Sequence, residues 1–186
     1  MMQSILYGGT VESRLAASHV IFAQLEKQLQ NDLTFMNKLK SLTHHARAVA
    51  NHMTEMQLGP LCIRCSSQTS GGCCSLFMAG ETDALQMLMN ILAGIEVRQV
   101  RNDGGECCFL GETGCIFLFK PMFCLNYNCT HIHKAATSFQ MQELERLTGV
   151  VLTKQYETEQ VLLACIRRES GKTKQPPSLD FNNSSF

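Results

Sequence analysis

Between Thr10 and Leu58 the chain contains neither glycine nor proline. The two residues that most readily interrupt a helix are missing from this run. Apolar side chains recur within it on a three-four spacing: Phe22, Leu25, Leu29, Met36, Leu39, Ala46, Ala50 and Met53. That is the pattern of an amphipathic helical segment over 10–58. Unbroken, it would form a rod of roughly 70 Å, out of proportion to a chain of 186 residues. Asn31-Asp32 and Ser41–Thr43 are good capping residues, so a break is expected at one of these points. Asp32 and Thr43 also interrupt the apolar seam, which argues against a continuous coiled coil. The seam is expected to pack on its own domain. Its other use would be a surface for a protein partner or a homodimer. His44, His45 and His52 read as solvated helix residues.

Gly59-Pro60 is expected to end this segment, and the stretch LGPLCIRCSSQTSGGCCSLF around it reads as loop. Thr82 suits the cap of a short helix reaching Gly94, with Leu85, Leu88, Met89 and Leu92 buried and Met87 and Ile91 widening that face. Val97 to Val100 suggests a short strand, and Asn102-Asp103-Gly104-Gly105 a turn. Beyond Cys129 the helical pattern returns. Thr137 to Gln140 fits a capping box. Leu144, Leu147, Val151, Leu162, Leu163 and Ile166 form an apolar face over 135–168, with Gly149 as a kink or junction. Residues 170–186 are polar and contain two adjacent prolines, so a disordered tail is expected. The expected fold is mainly α (α+β). N- and C-terminal helices surround a loop-rich, cysteine-rich middle with short strands, in one domain over 1–169.

Charge narrows the partners. Sixteen basic residues balance sixteen acidic ones, so there is no electrostatic footprint for nucleic acid. No apolar run suits a membrane span. The opening MMQSILYGGTVESR lacks a basic region followed by an apolar one. A cytoplasmic location is therefore expected, where thiols stay reduced. That bears on the ten cysteines, nine of which fall between positions 62 and 129.

Disulfides, inert buried thiols and metal ligation compete, and clustering favours metal. Cys165, isolated on a helical face, reads as core. Cys62-Ile63-Arg64-Cys65 is a C-x2-C pair that can aim two sulfurs at one ion. Cys73 and Cys74, in extended chain, would face opposite sides and serve two neighbouring sites. Cys62, Cys65, Cys73, Cys74, Cys107, Cys115, Cys124 and Cys129 divide into two four-sulfur sites. Those suit two tetrahedral zinc ions, or iron held as iron–sulfur clusters. His131, His133 and Cys108 are alternative ligands.

Several spacings agree with a known pattern. Cys62 and Cys65 form the first pair and Cys73-Cys74 a double cysteine. Cys107-Cys108-Phe109-Leu110 gives C-x-F-L, and Cys115-Ile116-Phe117 the next cysteine with its aromatic neighbour. Lys120-Pro121 precedes Cys124 and Cys129. Over roughly residues 61–130 this resembles the YkgJ-type cysteine-cluster family, described as zinc- or iron-chelating domains. The resemblance makes Cys107 the ligand and Cys108 the variable position. It departs in two places: seven residues separate Cys65 from Cys73 where the family has fewer, and Lys120 stands where arginine is usual. Eight thiolates around two zinc ions carry an excess of four negative charges, and Lys120, Arg64, Arg98 or Arg101 would offset part of it. The resemblance implies a structural or redox metal centre. Some relatives resemble flagellin lysine methylases, so the alternative is a metal-dependent protein-modification enzyme or its accessory. No methyl-donor motif and no catalytic residue can be assigned. A helical interaction module shaped by metal is the third reading.

Overall fold

The computed structural model describes residues 2–68, 72–102 and 105–172. It is mainly helical, as expected, with one two-stranded sheet. A short helix α1 (Met2–Tyr7), which the sequence pattern did not suggest, precedes α2 (Val11–Asn31) and α3 (Leu33–Glu55). The break between α2 and α3 falls at Asp32, one of the two expected points, and α3 runs through Ser41–Thr43 without interruption. Asp32 leaves the helical conformation, and its carboxylate accepts from the Phe35 N–H at 3.0 Å. A cap of this kind contributes about 1 kcal/mol.

The two halves of the former rod bury their seams against different helices: α2 packs chiefly on α6 (Ala84–Leu92), and α3 on α9 (Ser138–Lys172). The α3–α9 pair is antiparallel. His52 Nε2 meets the Gln140 carbonyl at 2.9 Å, Lys38 pairs with Glu157 at 3.2 Å, and Arg168 reaches Asp32 at 3.7 Å. Between them Phe35, Leu39, Leu42, Ala46 and Val49 join Leu144, Val151, Leu162, Cys165 and Ile166 in one buried cluster. Full burial of a large apolar side chain contributes about 1.5–3 kcal/mol, so this seam is the mechanical frame of the protein. Cys165 is fully buried within it.

Several expectations need correction. Gly59-Pro60 does not end the helical segment. The chain turns at Met56 and Gln57, the latter left-handed at φ 57°, and α4 (Leu58–Ser66) then begins with Gly59 and Pro60 in its first turn. Proline is tolerated there because the first turn's N–H groups have no helical acceptor. Part of the supposed loop is therefore helix. α6 is capped by Asp83, whose carboxylate accepts from Gln86 N at 2.7 Å, instead of by Thr82. Residues 97–100 form no strand, although Val100 N donates to the Cys108 carbonyl at 2.8 Å. Gly149 does not divide α9, which is continuous and reaches Lys172. The capping box holds: Gln140 N donates to Thr137 Oγ1 and Thr137 N to Gln140 Oε1. His44 is exposed, but His52 is half-buried and bridges α3 to α9. Asp103 and Gly104 of the expected turn, and 173–186 of the expected tail, lie outside the described residues.

The middle adds α5 (Leu76–Gly80), a tight hairpin of β1 (Leu110–Gly111) and β2 (Gly114–Cys115), α7 (Met122–Asn126) and α8 (Thr130–Ala135). The hairpin rests on α4 through bare backbone. A Cβ on Gly59 would run into the Thr113 carbonyl, and Gly114, at φ 130°, lies with its Cβ position 3.2 Å from the Gly59 Cα. Replacing Gly59 by alanine should cost about 1–3 kcal/mol through this clash, read as a lower midpoint in denaturant unfolding. Gly149→Ala should do the opposite. The site is exposed, helical and free of neighbours within 4 Å, so about 0.5–1 kcal/mol should be gained.

Candidate metal centre

Three devices place the cysteine-bearing segments. In the first, Cys62 and Cys65 stand one turn apart on α4. The end of that helix is tied down by Glu106, which accepts from Ser66 Oγ at 3.2 Å and Ser67 Oγ at 2.9 Å and pairs with Arg101. The second is an antiparallel bridge between Ser75 and Glu106, with Cys107 N donating to the Cys74 carbonyl at 3.0 Å. It sets the Cys73-Cys74 pair beside Cys107. The third is a buried polar clasp. Asn90 Oδ1 accepts from Leu118 N and Phe119 N, both at 2.9 Å, while Asn90 Nδ2 and Gln86 Nε2 donate to the Phe119 carbonyl at 2.9 and 2.6 Å. Gln155 Nε2 on α9 donates in turn to Gln86 Oε1 at 2.8 Å. The clasp holds 117–121 against α6 and α9, and so places Cys115 before it and Cys124 after it.

The result is a cavity of about 460 Å³ lined by Cys62, Cys74, Cys107, Cys115, Cys124 and Lys120, with Met53, Leu58 and Met78 among its apolar lining. A second cavity of about 300 Å³ adjoins it and adds Cys73. Six of the eight expected ligands therefore face this pair of cavities. Cys65 and Cys129 line neither. Cys129, at the cap of α8, lies close enough to act on the charge of Cys65. Among the described residues, no three His, Cys, Asp or Glu side chains already form a set able to hold an ion. The thiols stand in the walls, and an ion would have to draw them inward.

The alternative ligands lie elsewhere. His131 and His133 are exposed on α8, and Cys108 is buried in a separate apolar cluster with Val11, Met87, Val97 and Phe109. Of the four cations considered, Lys120 is the one that lines the cavity, and its charge favours the thiolate forms of Cys62, Cys115 and Cys124. Its ammonium donates to the Phe117 carbonyl at 3.0 Å. Arg101 is engaged by Glu106 and Arg98 by Glu96, while Arg64 is exposed.

Environment divides the thiols. The neighbouring Cys74 thiol draws Cys62 down and holds Cys73 at about 6, while Cys74 itself, between those two sulfurs, is pushed up steeply. Burial pushes Cys107 and Cys124 up to about 12 and raises Cys115 too. Soft sulfur donors, some already inclined to ionise, beside one ammonium suit a thiophilic cation.

The chain matches no family model, no curated protein and no solved structure.

The clasp, the Glu106 anchor and the glycine contact were not anticipated. The one signal for the clasp was a Gln and an Asn four residues apart in the otherwise apolar ALQMLMNIL. Asn90→Ala should leave the buried Phe119 N–H and the partly buried Leu118 N–H without their acceptor and cost about 2–4 kcal/mol, measured by chemical denaturation, with faster alkylation of Cys115 and Cys124. In metal-free, reduced protein, Cys73 should alkylate well ahead of Cys107 and Cys124 at pH 7. A lowered pKa leaves it ionised above about pH 6, so its rate should climb through that pH. Peptide mapping after timed iodoacetamide quenches reads the order.

Proposed function

We propose that this chain is a cytoplasmic metal-binding cysteine-cluster protein, holding zinc or iron, with iron–sulfur clusters included, in a structural or redox role akin to that of the YkgJ-type domains it resembles. The observation that carries the reading is the meeting of six thiols and Lys120 around one pair of adjoining cavities, from three separate stretches of chain. Cys62, Cys73, Cys74, Cys107, Cys115 and Cys124 would form the inner ligand set, with Cys65 and Cys129 available at its edge. When bound, zinc would supply cross-linking free energy, and an iron–sulfur cluster would supply an electron carrier. The protein's own part is to gather the sulfurs at one place and to set one positive charge among them. No helix among the described residues is long and apolar enough to cross a membrane.

The alternative is a metal-dependent protein-modification enzyme or accessory. It draws on the open space beside the thiols, since a structural site is normally closed whereas a catalytic one keeps an open position. The apolar seams of α2 and α3 are buried within this chain, so any partner or second copy would dock on other faces.

Anaerobic purification followed by elemental analysis decides. Eight thiols predict about two zinc ions per chain in a colourless protein, or iron with acid-labile sulfide in a brown one. Cys115→Ser and Cys124→Ser should lower metal content substantially, and Cys165→Ser should leave it intact. Native, metal-free protein cross-linked by disulfides across positions 62–129 would falsify the reading.

A further inference from the structure

The two cavities share six lining residues: Met53, Leu58, Cys62, Cys74, Met78 and Cys124. Five of those six carry sulfur. The wall between the cavities is therefore built of thiols and thioethers together. Met53 comes from α3 and Met78 from α5, so two elements distant in sequence each deliver a thioether to the same partition.

Packing alone does not call for this placement. Met56, Met87, Met89 and Met141 are the methionines buried among core side chains. Met53 and Met78 are only half-buried, though Met53 also touches the main core. Oxygen and nitrogen ligands are scarce around them. The carboxylate in either lining is that of exposed Glu112, and neither lining includes a histidine.

Thioether is a poor ligand for zinc, which takes thiolate, imidazole and carboxylate. It is a good ligand for copper(I), whose softness selects thiolate and thioether together. Charge points the same way. A monovalent ion held by two thiolates and a neutral thioether carries a net charge of −1, which the single ammonium of Lys120 would balance. Four thiolates on zinc would carry −2.

We propose that this partition is a copper(I) site, in which thiolates of Cys62, Cys74 or Cys124 are joined by the thioethers of Met53 and Met78. The inference rests on the proposed sulfur-ligated centre and names a further ion for it. Each thiol that binds releases one proton, and copper enters and stays as Cu(I).

The test uses reduced, metal-stripped full-length protein under anaerobic conditions. Cu(I) is titrated against a chromophoric Cu(I) chelator, and zinc against a chromophoric zinc chelator. The Met53→Leu/Met78→Leu double variant keeps the side-chain volume nearly unchanged. It should hold Cu(I) about tenfold less tightly, the scale on which loss of a supporting contact shifts metal affinity, while retaining zinc as the wild type does. Selenomethionine-labelled wild-type protein loaded with Cu(I) should show copper–selenium scattering by X-ray absorption, and the labelled double variant should not. Equal Cu(I) retention by wild type and variant, or no copper–selenium scattering, overturns the copper site while zinc retention leaves the proposed function standing. Retention of neither ion by the wild type overturns the copper site and, where anaerobically purified protein also carries no iron, the proposed function with it.

Discussion

Asn90 is the residue on which the arrangement of the middle depends. One side-chain amide occupies two N–H groups and, with Gln86, the carbonyl of a segment that has no secondary structure of its own. Buried backbone groups left without partners are costly. In a sheet or helix the neighbouring backbone would satisfy them. Here the side chains of α6 take that place, so the irregular chain through Leu118 and Phe119 can be buried. Gln155 extends the grip to α9. The sulfur-rich region is thus fastened to the same two helices that carry much of the apolar core.

Two kinds of cohesion then divide the molecule. The frame of α2, α3, α6 and α9 is held by a broad apolar cluster whose one buried thiol, Cys165, sits among leucines and isoleucine. The middle is held by specific contacts, a salt-bridged glutamate, one β-bridge, a two-residue hairpin and the Asn90 clasp, and by the buried rings of Phe109, Phe117 and Phe119. A bound ion would add a cross-link to these, at the end of the frame where α3 passes into α4.

Much of the frame was legible in the sequence because helical periodicity is a local signal. The run from Thr10 to Leu58 reported its helices, and Asp32 its break, through capping chemistry that needs only four residues. The Thr137–Gln140 box was legible for the same reason. Pro60 misled, since a proline that ends one helix and a proline in the first turn of the next look alike without the left-handed turn at Gln57. Gly149 misled because the long packing face of α9 overrides one poor helix former. At the site, the cysteines were visible by count and spacing. Their division into six around the cavities and a flanking pair was not, because it follows from the bridge at Glu106 and the clasp at Asn90. Both join residues about thirty apart in sequence, and no local pattern encodes such pairings.

The contact between Gly59 and the hairpin also acts as a ruler. Cys62 follows Gly59 by three residues and Cys115 follows Gly114 by one. The span between the backbones that carry these two thiols is thereby measured in thicknesses of bare main chain, with no side chain interposed at the contact. Tolerance at this end of the cavity is accordingly tight, whereas the Met53 and Met78 end is lined by long, unbranched side chains that adapt. One rim of the cavity is machined and the other is compliant, a division that would let an ion enter at one side and be fixed at the other.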